Sequence, residues 1–132
     1  MISTMAARID QRMVWRGNDI KSKDEIAFDL TARHAAALKE LLGQFQAERL
    51  ALGDIRPGHC RHPALDADLA RVFSEIQDGR GIVIIRGIPV AGHSVDEVGM
   101  MFWALGTHFG LGLSQSARGD LLGLVRDETP PG

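Results

Sequence analysis

Tyrosine is missing from the chain altogether, and aromatic residues make up 5% of its 132 positions. A platform for single-stranded nucleic acid stacks bases on aromatic faces, so that class of binder is excluded. Cysteine occurs once, as Cys60. One thiol excludes an intramolecular disulfide framework and fits a reducing, cytoplasmic setting. Charge of one sign is lacking too: the formal net charge is -2, which supplies neither a basic field for nucleic acid nor a polybasic patch for a membrane. The apolar runs are too short and interrupted to span a bilayer. The opening Met1-Ile2-Ser3-Thr4-Met5-Ala6-Ala7-Arg8 has no apolar core of the kind a secretory signal needs. Internal repeats and low-complexity linkers are absent, so residues 1–132 read as a single unit.

What remains is an ordinary globular composition, with 45% hydrophobic and 24% charged residues, long enough for one core. Ala27-Phe28-Asp29-Leu30 reads as a short strand, and Thr31 as the N-cap of a helix over residues 32–52. Leu38, Leu41, Leu42, Phe45, Leu50 and Leu52 recur on one face of it at three- and four-residue spacings. Gly53-Asp54 and Pro57-Gly58 open a loop carrying His59, Cys60 and His62. A second helix fits residues 65–77, with Leu65, Leu69, Val72, Phe73 and Ile76 in one stripe and Asp78-Gly79 as its stop.

The glycine-bounded run Gly81-Ile82-Val83-Ile84-Ile85-Arg86-Gly87-Ile88 reads as a strand buried on both faces, because its apolar residues are continuous and do not alternate. Ser94 with Glu97 three residues later forms a capping box for a third helix, whose core face is Val98, Met101, Phe102 and Leu105. Residues 120–127 read as a further strand. The class is α+β, with helices flanking at least two strands. Two strands make a marginal sheet, so sheet is expected to be missing from this stretch of sequence. The ending Asp127-Glu128-Thr129-Pro130-Pro131-Gly132 reads as a loop leading onward.

Three blocks in order resemble the taurine dioxygenase (TauD/TfdA-like) family of iron(II)/2-oxoglutarate-dependent dioxygenases. Gly79-Arg80-Gly81-Ile82-Val83-Ile84-Ile85-Arg86-Gly87-Ile88-Pro89-Val90 looks like that family's "GRGFVLLRGLPV". Leu105-Gly106-Thr107-His108-Phe109-Gly110 resembles its "LGxHLG", and residues 115–127 resemble its "QNxxGDLLGxVRD". The match is best over residues 65–127 and loose upstream, between Trp15 and Leu30. The resemblance implies the N-terminal helices and first strands of a double-stranded β-helix (jelly-roll, clavaminate synthase-like) fold, incomplete in this chain.

It also implies hydroxylation of a small-molecule substrate. Such enzymes hold iron(II) with a His-x-Asp/Glu pair and a distant His, leaving positions open for 2-oxoglutarate and oxygen. None of His34, His59, His62, His93 or His108 is followed two residues later by an acid, so no metal ligand or catalytic residue carries over. The expectation is that the chain stops before the metal motif and by itself binds neither iron(II) nor 2-oxoglutarate.

His108 lies in a matched block, and Gln115 and Ser116 stand where the family has a Gln-Asn pair near the active-site side of its sheet; these three are the candidate pocket residues. Ser116 departs from the usual Asn. A packed or hydrogen-bonded role for His108 is the plainer reading. His59-Cys60-Arg61-His62 has ligand-type residues without the spacing or the second cluster of a zinc site, and reads as a solvated loop. His93-Ser94-Val95-Asp96 reads as a helix N-terminus, and Asp54, Asp66 and Asp120 as solvated or capping residues. Two other functions stay open. One is a non-catalytic module that associates with itself or a partner through exposed strand edges; the other is an unrelated small enzyme with a pocket near His108.

Overall fold

The computed structural model describes residues 11–110, 112, 117–123 and 125. Three short 3-10 turns lead into β1 (Ala27–Asp29) and α1 (Ala32–Ala47). Two more 3-10 turns, Leu52–Asp54 and Pro57–Cys60, precede α2 (Asp66–Asp78), β2 (Ile84–Arg86) and α3 (Val95–Gly106). The two strands pair in parallel, Ala27 with Ile84, Phe28 with Ile85 and Asp29 with Arg86. The chain between them runs through α1 and α2, since parallel neighbours cannot be joined by a hairpin. No described helix is long and apolar enough to cross a membrane.

The core lies where α1 packs on α3 and on the start of α2. From α1 it takes Ala37, Leu38, Leu41, Leu42 and Phe45, from α2 Leu69, and from α3 Met101, Ala104 and Leu105. These positions repeat at helical spacing, so each helix offers one apolar stripe, and burying a side chain of this size contributes about 1.5–3 kcal/mol.

Helix α1 is shorter than the sequence pattern implies. Its core periodicity runs on through Leu50 and Leu52, yet the helix ends at Ala47. Arg49 takes a left-handed φ of 55°. The Leu50 N–H then donates to Phe45 O at 2.9 Å and the Arg49 N–H to Gln46 O at 3.2 Å, a Schellman closure without glycine. Leu50 and Leu52 still pack on the core, from a turn instead of a helix.

Both polar caps sit where the sequence places them. Thr31 Oγ1 accepts the His34 N–H at 3.4 Å; Ser94 Oγ accepts the Glu97 N–H at 3.1 Å while Glu97 accepts the Ser94 N–H at 2.9 Å.

Four expectations are corrected. β2 is half-buried along its length, not buried on both faces, because among the described residues its one strand neighbour is β1. Phe102 is 54% exposed, and Ala104 takes its place in the core. In the stretch His59-Cys60-Arg61-His62, His59 and Arg61 are exposed as a solvated loop requires, but Cys60 is 0% exposed, because the 3-10 turn Pro57–Cys60 folds against α3. Residues 120–123 and 125 are not in a strand, and the rest of the strand expected at 120–127 lies outside the described residues.

Two contacts bind the sheet. Arg86 reaches across to its register partner Asp29 through Nε to Oδ1 (2.6 Å) and Nη2 to Oδ2 (3.0 Å), and to Asp24 through Nη1 (2.8 Å). The Leu30 N–H donates to Arg86 O at 2.8 Å, where Gly87 turns the chain at φ +98°.

Candidate functional site

Among the described residues, three histidines each face a carboxylate from another segment. His34 occupies the third position of α1, so its ring folds back over the helix start. Nδ1 accepts the Thr31 N–H at 2.9 Å, and Nε2 meets Asp68 of α2 at 2.7 Å. Asp68 also binds Arg71. The His34 hydrogen bond, with the Arg71 charge behind it, holds the Asp68 carboxyl below its ordinary range.

Thr31 Oγ1, His34 and Asp68 form a hydroxyl–imidazole–carboxylate series, with Oγ1 at 3.1 Å from Nδ1. The single Nδ1 lone pair is already taken by the Thr31 N–H. That imidazole has no base function left to activate the hydroxyl. The series is a helix cap tied to a neighbouring helix.

His62 repeats the pattern: Nδ1 accepts the Ala64 N–H at 3.0 Å and Nε2 meets Glu40 of α1 at 2.9 Å. His108, just past α3, is the third. Its ring is 3% exposed, with Nδ1 at 3.0 Å from Ala104 O and Nε2 at 3.2 Å from Asp66 Oδ1. The same Asp66 oxygen accepts the His62 N–H at 3.0 Å. Burial pushes the Asp66 carboxyl up, but the His62 N–H and the His108 ring together outweigh it and the net shift is down. Arg61 adds its Nη2 to Thr107 O at 3.2 Å, so the end of α3 carries both an imidazole and a guanidinium. Cys60, beneath this cluster, gives a weak hydrogen bond to Arg56 O at 3.6 Å. Burial pushes its thiol up, which keeps it protonated and a poor nucleophile at neutral pH.

An open cavity of about 350 Å³ lies beside this cluster, lined by Phe102, Trp103, Thr107, Phe109 and Leu121 among others. Gly112 runs directly over the Trp103 ring, in space that any side chain would need. A second cavity, about 310 Å³, lies against the sheet between Phe28, Val72 and Ile82, with Arg80 and Glu25 paired at 3.4 Å on its wall. Both are mostly apolar.

Of the candidate pocket residues, His108 sits next to the first cavity, but its ring turns toward α2. Gln115 and Ser116 lie outside the described residues. The histidine–carboxylate pairs were not foreseen. Asp66 and Asp68 read as the outer face of a helix, and only the Thr31-x-x-His34 spacing hinted that a side chain would fold back to the cap.

Among the described residues no three of His, Cys, Asp and Glu converge as a metal site would require. His34, His62 and His108 each have a carboxylate partner and a backbone partner. These residues do not by themselves fit an iron centre.

The fold and this cluster define a class: a small α+β unit whose helices are locked by histidine–carboxylate pairs beside a short parallel sheet. Comparison with known proteins adds a distant relation. The chain is 20% identical over 127 residues to FR-33289 synthase of Streptomyces rubellomurinus (strain ATCC 31215). The aligned stretch covers 96% of this chain and 38% of the synthase, so the chain spans less than half the length of that relative. No protein-family model matches the chain.

Proposed function

We propose that this chain forms the N-terminal part of an iron(II)/2-oxoglutarate-dependent dioxygenase of the TauD/TfdA-like kind, acting on a small organic substrate. The observation that carries the reading is the succession α2–β2–capped α3, along which the first two family-like blocks fall, with the third following in the sequence. The distant relation to FR-33289 synthase supports the same family. In this reading the His-x-Asp…His iron ligands are supplied by sequence outside residues 1–132. The chain contributes the helical layer and first strands, with Gln115 and Ser116 near the substrate pocket. By itself it is catalytically inactive.

The test is an anaerobic titration with iron(II) and 2-oxoglutarate, following the visible charge-transfer band of the chelated cosubstrate. The 132-residue chain is expected to give no band, and the product of the complete reading frame a saturable one. A band from the short chain overturns its inactivity; silence from the complete protein overturns the family reading.

A second reading is favoured by one feature of the sheet. Among the described residues, the outer edges of β1 and β2 have no strand partner. A non-catalytic module would use those edges to bind a second copy or another chain. Sedimentation showing a monomer at all concentrations, with no affinity for another polypeptide, would count against it.

A further inference from the structure

We propose that His108 is a proton-linked clamp, bonded at once to the last turn of α3 and to the start of α2 only while its ring carries a proton on both nitrogens. The argument begins from a contrast among the three paired histidines. In His34 and His62, Nδ1 accepts a backbone N–H and Nε2 faces a carboxylate. One donor and one acceptor is what a neutral imidazole offers, so each ring is satisfied with a single proton.

His108 differs: both of its ring nitrogens face acceptors, a carbonyl oxygen at 3.0 Å and a carboxylate oxygen at 3.2 Å. A neutral ring can donate to only one of them and points a lone pair at the other. Its 3% exposure leaves little room for water to repair the mismatch. The doubly protonated ring makes both bonds and pairs with an anion.

The surroundings bear on the same point. Asp66 is the first residue of α2, where the helix dipole favours negative charge. Ala104 O is among the last carbonyls of α3, where the dipole favours a cation. Asp66 is held ionised below its ordinary range. Opposing the cation is Arg61, on Thr107 O and Oγ1. The His62 ring is turned away to Glu40 of α1, and the Cys60 thiol stays neutral. When the second proton leaves, one of the two bonds is lost. The segment from Thr107 to Gly110, which borders the cavity of Phe102 and Trp103, is then tied down less firmly.

Long-range proton–nitrogen NMR of the histidine rings in the folded chain, with amide hydrogen exchange at Thr107, His108 and Phe109 as pH is raised, tests this. The expected result is a His108 ring with both nitrogens protonated in the folded chain, one donating to Ala104 O and the other to Asp66 Oδ1, before the pH is raised. Exchange at these three amides should accelerate several-fold, beyond its intrinsic base dependence, once the second proton leaves. His108→Gln should remove that extra acceleration. Asp66→Asn, which can present a donor to Nε2, should remove the two-proton signature if the first variant does not fold. A singly protonated His108 wherever the chain is folded overturns the clamp, as does extra acceleration that survives His108→Gln.

Discussion

Arg49 holds a left-handed backbone, φ 55°, at the position after α1 where glycine is the usual occupant. A side chain there costs about 1 kcal/mol, because Cβ crowds the carbonyl. Arg49→Gly is therefore expected to raise stability by up to about 1 kcal/mol, measured as an increased urea midpoint at unchanged slope. A lower midpoint would mean that the arginine side chain makes a compensating contact. Gly87 is the converse case. Its φ of +98° suits no L side chain, and an added Cβ would lie 3.3 Å from the carbonyl oxygen of Leu30, whose N–H donates to Arg86 O. Gly87→Ala should destabilise by roughly 1–3 kcal/mol. The same measurement checks it, and a neutral result would show that the turn can rearrange. Gly87 was legible as a strand boundary in the sequence. Arg49 was not, since nothing in the identity of an arginine announces a left-handed turn.

At the scale of elements, the caps were the most readable feature. Thr31 and Ser94 combine a short hydroxyl side chain with an adjacent apolar period, and the free N–H groups of a helix start leave few alternatives. Ser94→Ala leaves the Glu97 N–H without its side-chain acceptor and should cost about 1 kcal/mol, seen in thermal or urea unfolding. Loss of less than a few tenths would show that water replaces the serine. Helix ends and faces were harder. α1 could not be stopped correctly from its own pattern, because Leu50 and Leu52 remain apolar for a tertiary reason after the helix has ended. Spacing points Phe102 inward, yet the stripe that meets α1 is the one through Met101, Ala104 and Leu105. Periodicity fixes the existence of a face better than its edges.

At the scale of the whole molecule, stability rests on a small three-helix core and a set of depressed carboxylates. Phe45 is 1% exposed between the helices, and Phe45→Ala is expected to cost about 3–5 kcal/mol, enough to leave a chain of this size largely unfolded in a denaturation assay. Asp29 is held down by the Arg86 guanidinium, Asp68 by His34, and Glu97 by the Ser94 N–H and then Gln46. Asp66 joins them against the opposing effect of burial. A carboxyl lowered in the folded state adds stability that is present above its unfolded value, about 4, and is lost as pH falls through the folded value. Urea midpoints should therefore drop as pH is lowered below about 4. A midpoint that holds or rises there would show that these pairs are equally formed in the unfolded chain.

The sequence by itself determined what is local. The capped starts of α1 and α3, the stop of α2 at Gly79, the β-branched run at β2 and the core leucines all follow from neighbours within one turn or one strand. Only the tertiary structure decided which distant groups meet. His34 finds Asp68 across 34 positions and His108 finds Asp66 across 42. Packing also buried Cys60 against α3, in a segment whose composition looked solvated. The physical reason is the same in each case. Hydrogen bonding and periodicity within an element depend on residues a few positions apart, whereas burial and charge pairing depend on how whole helices pack, which no short window of sequence contains.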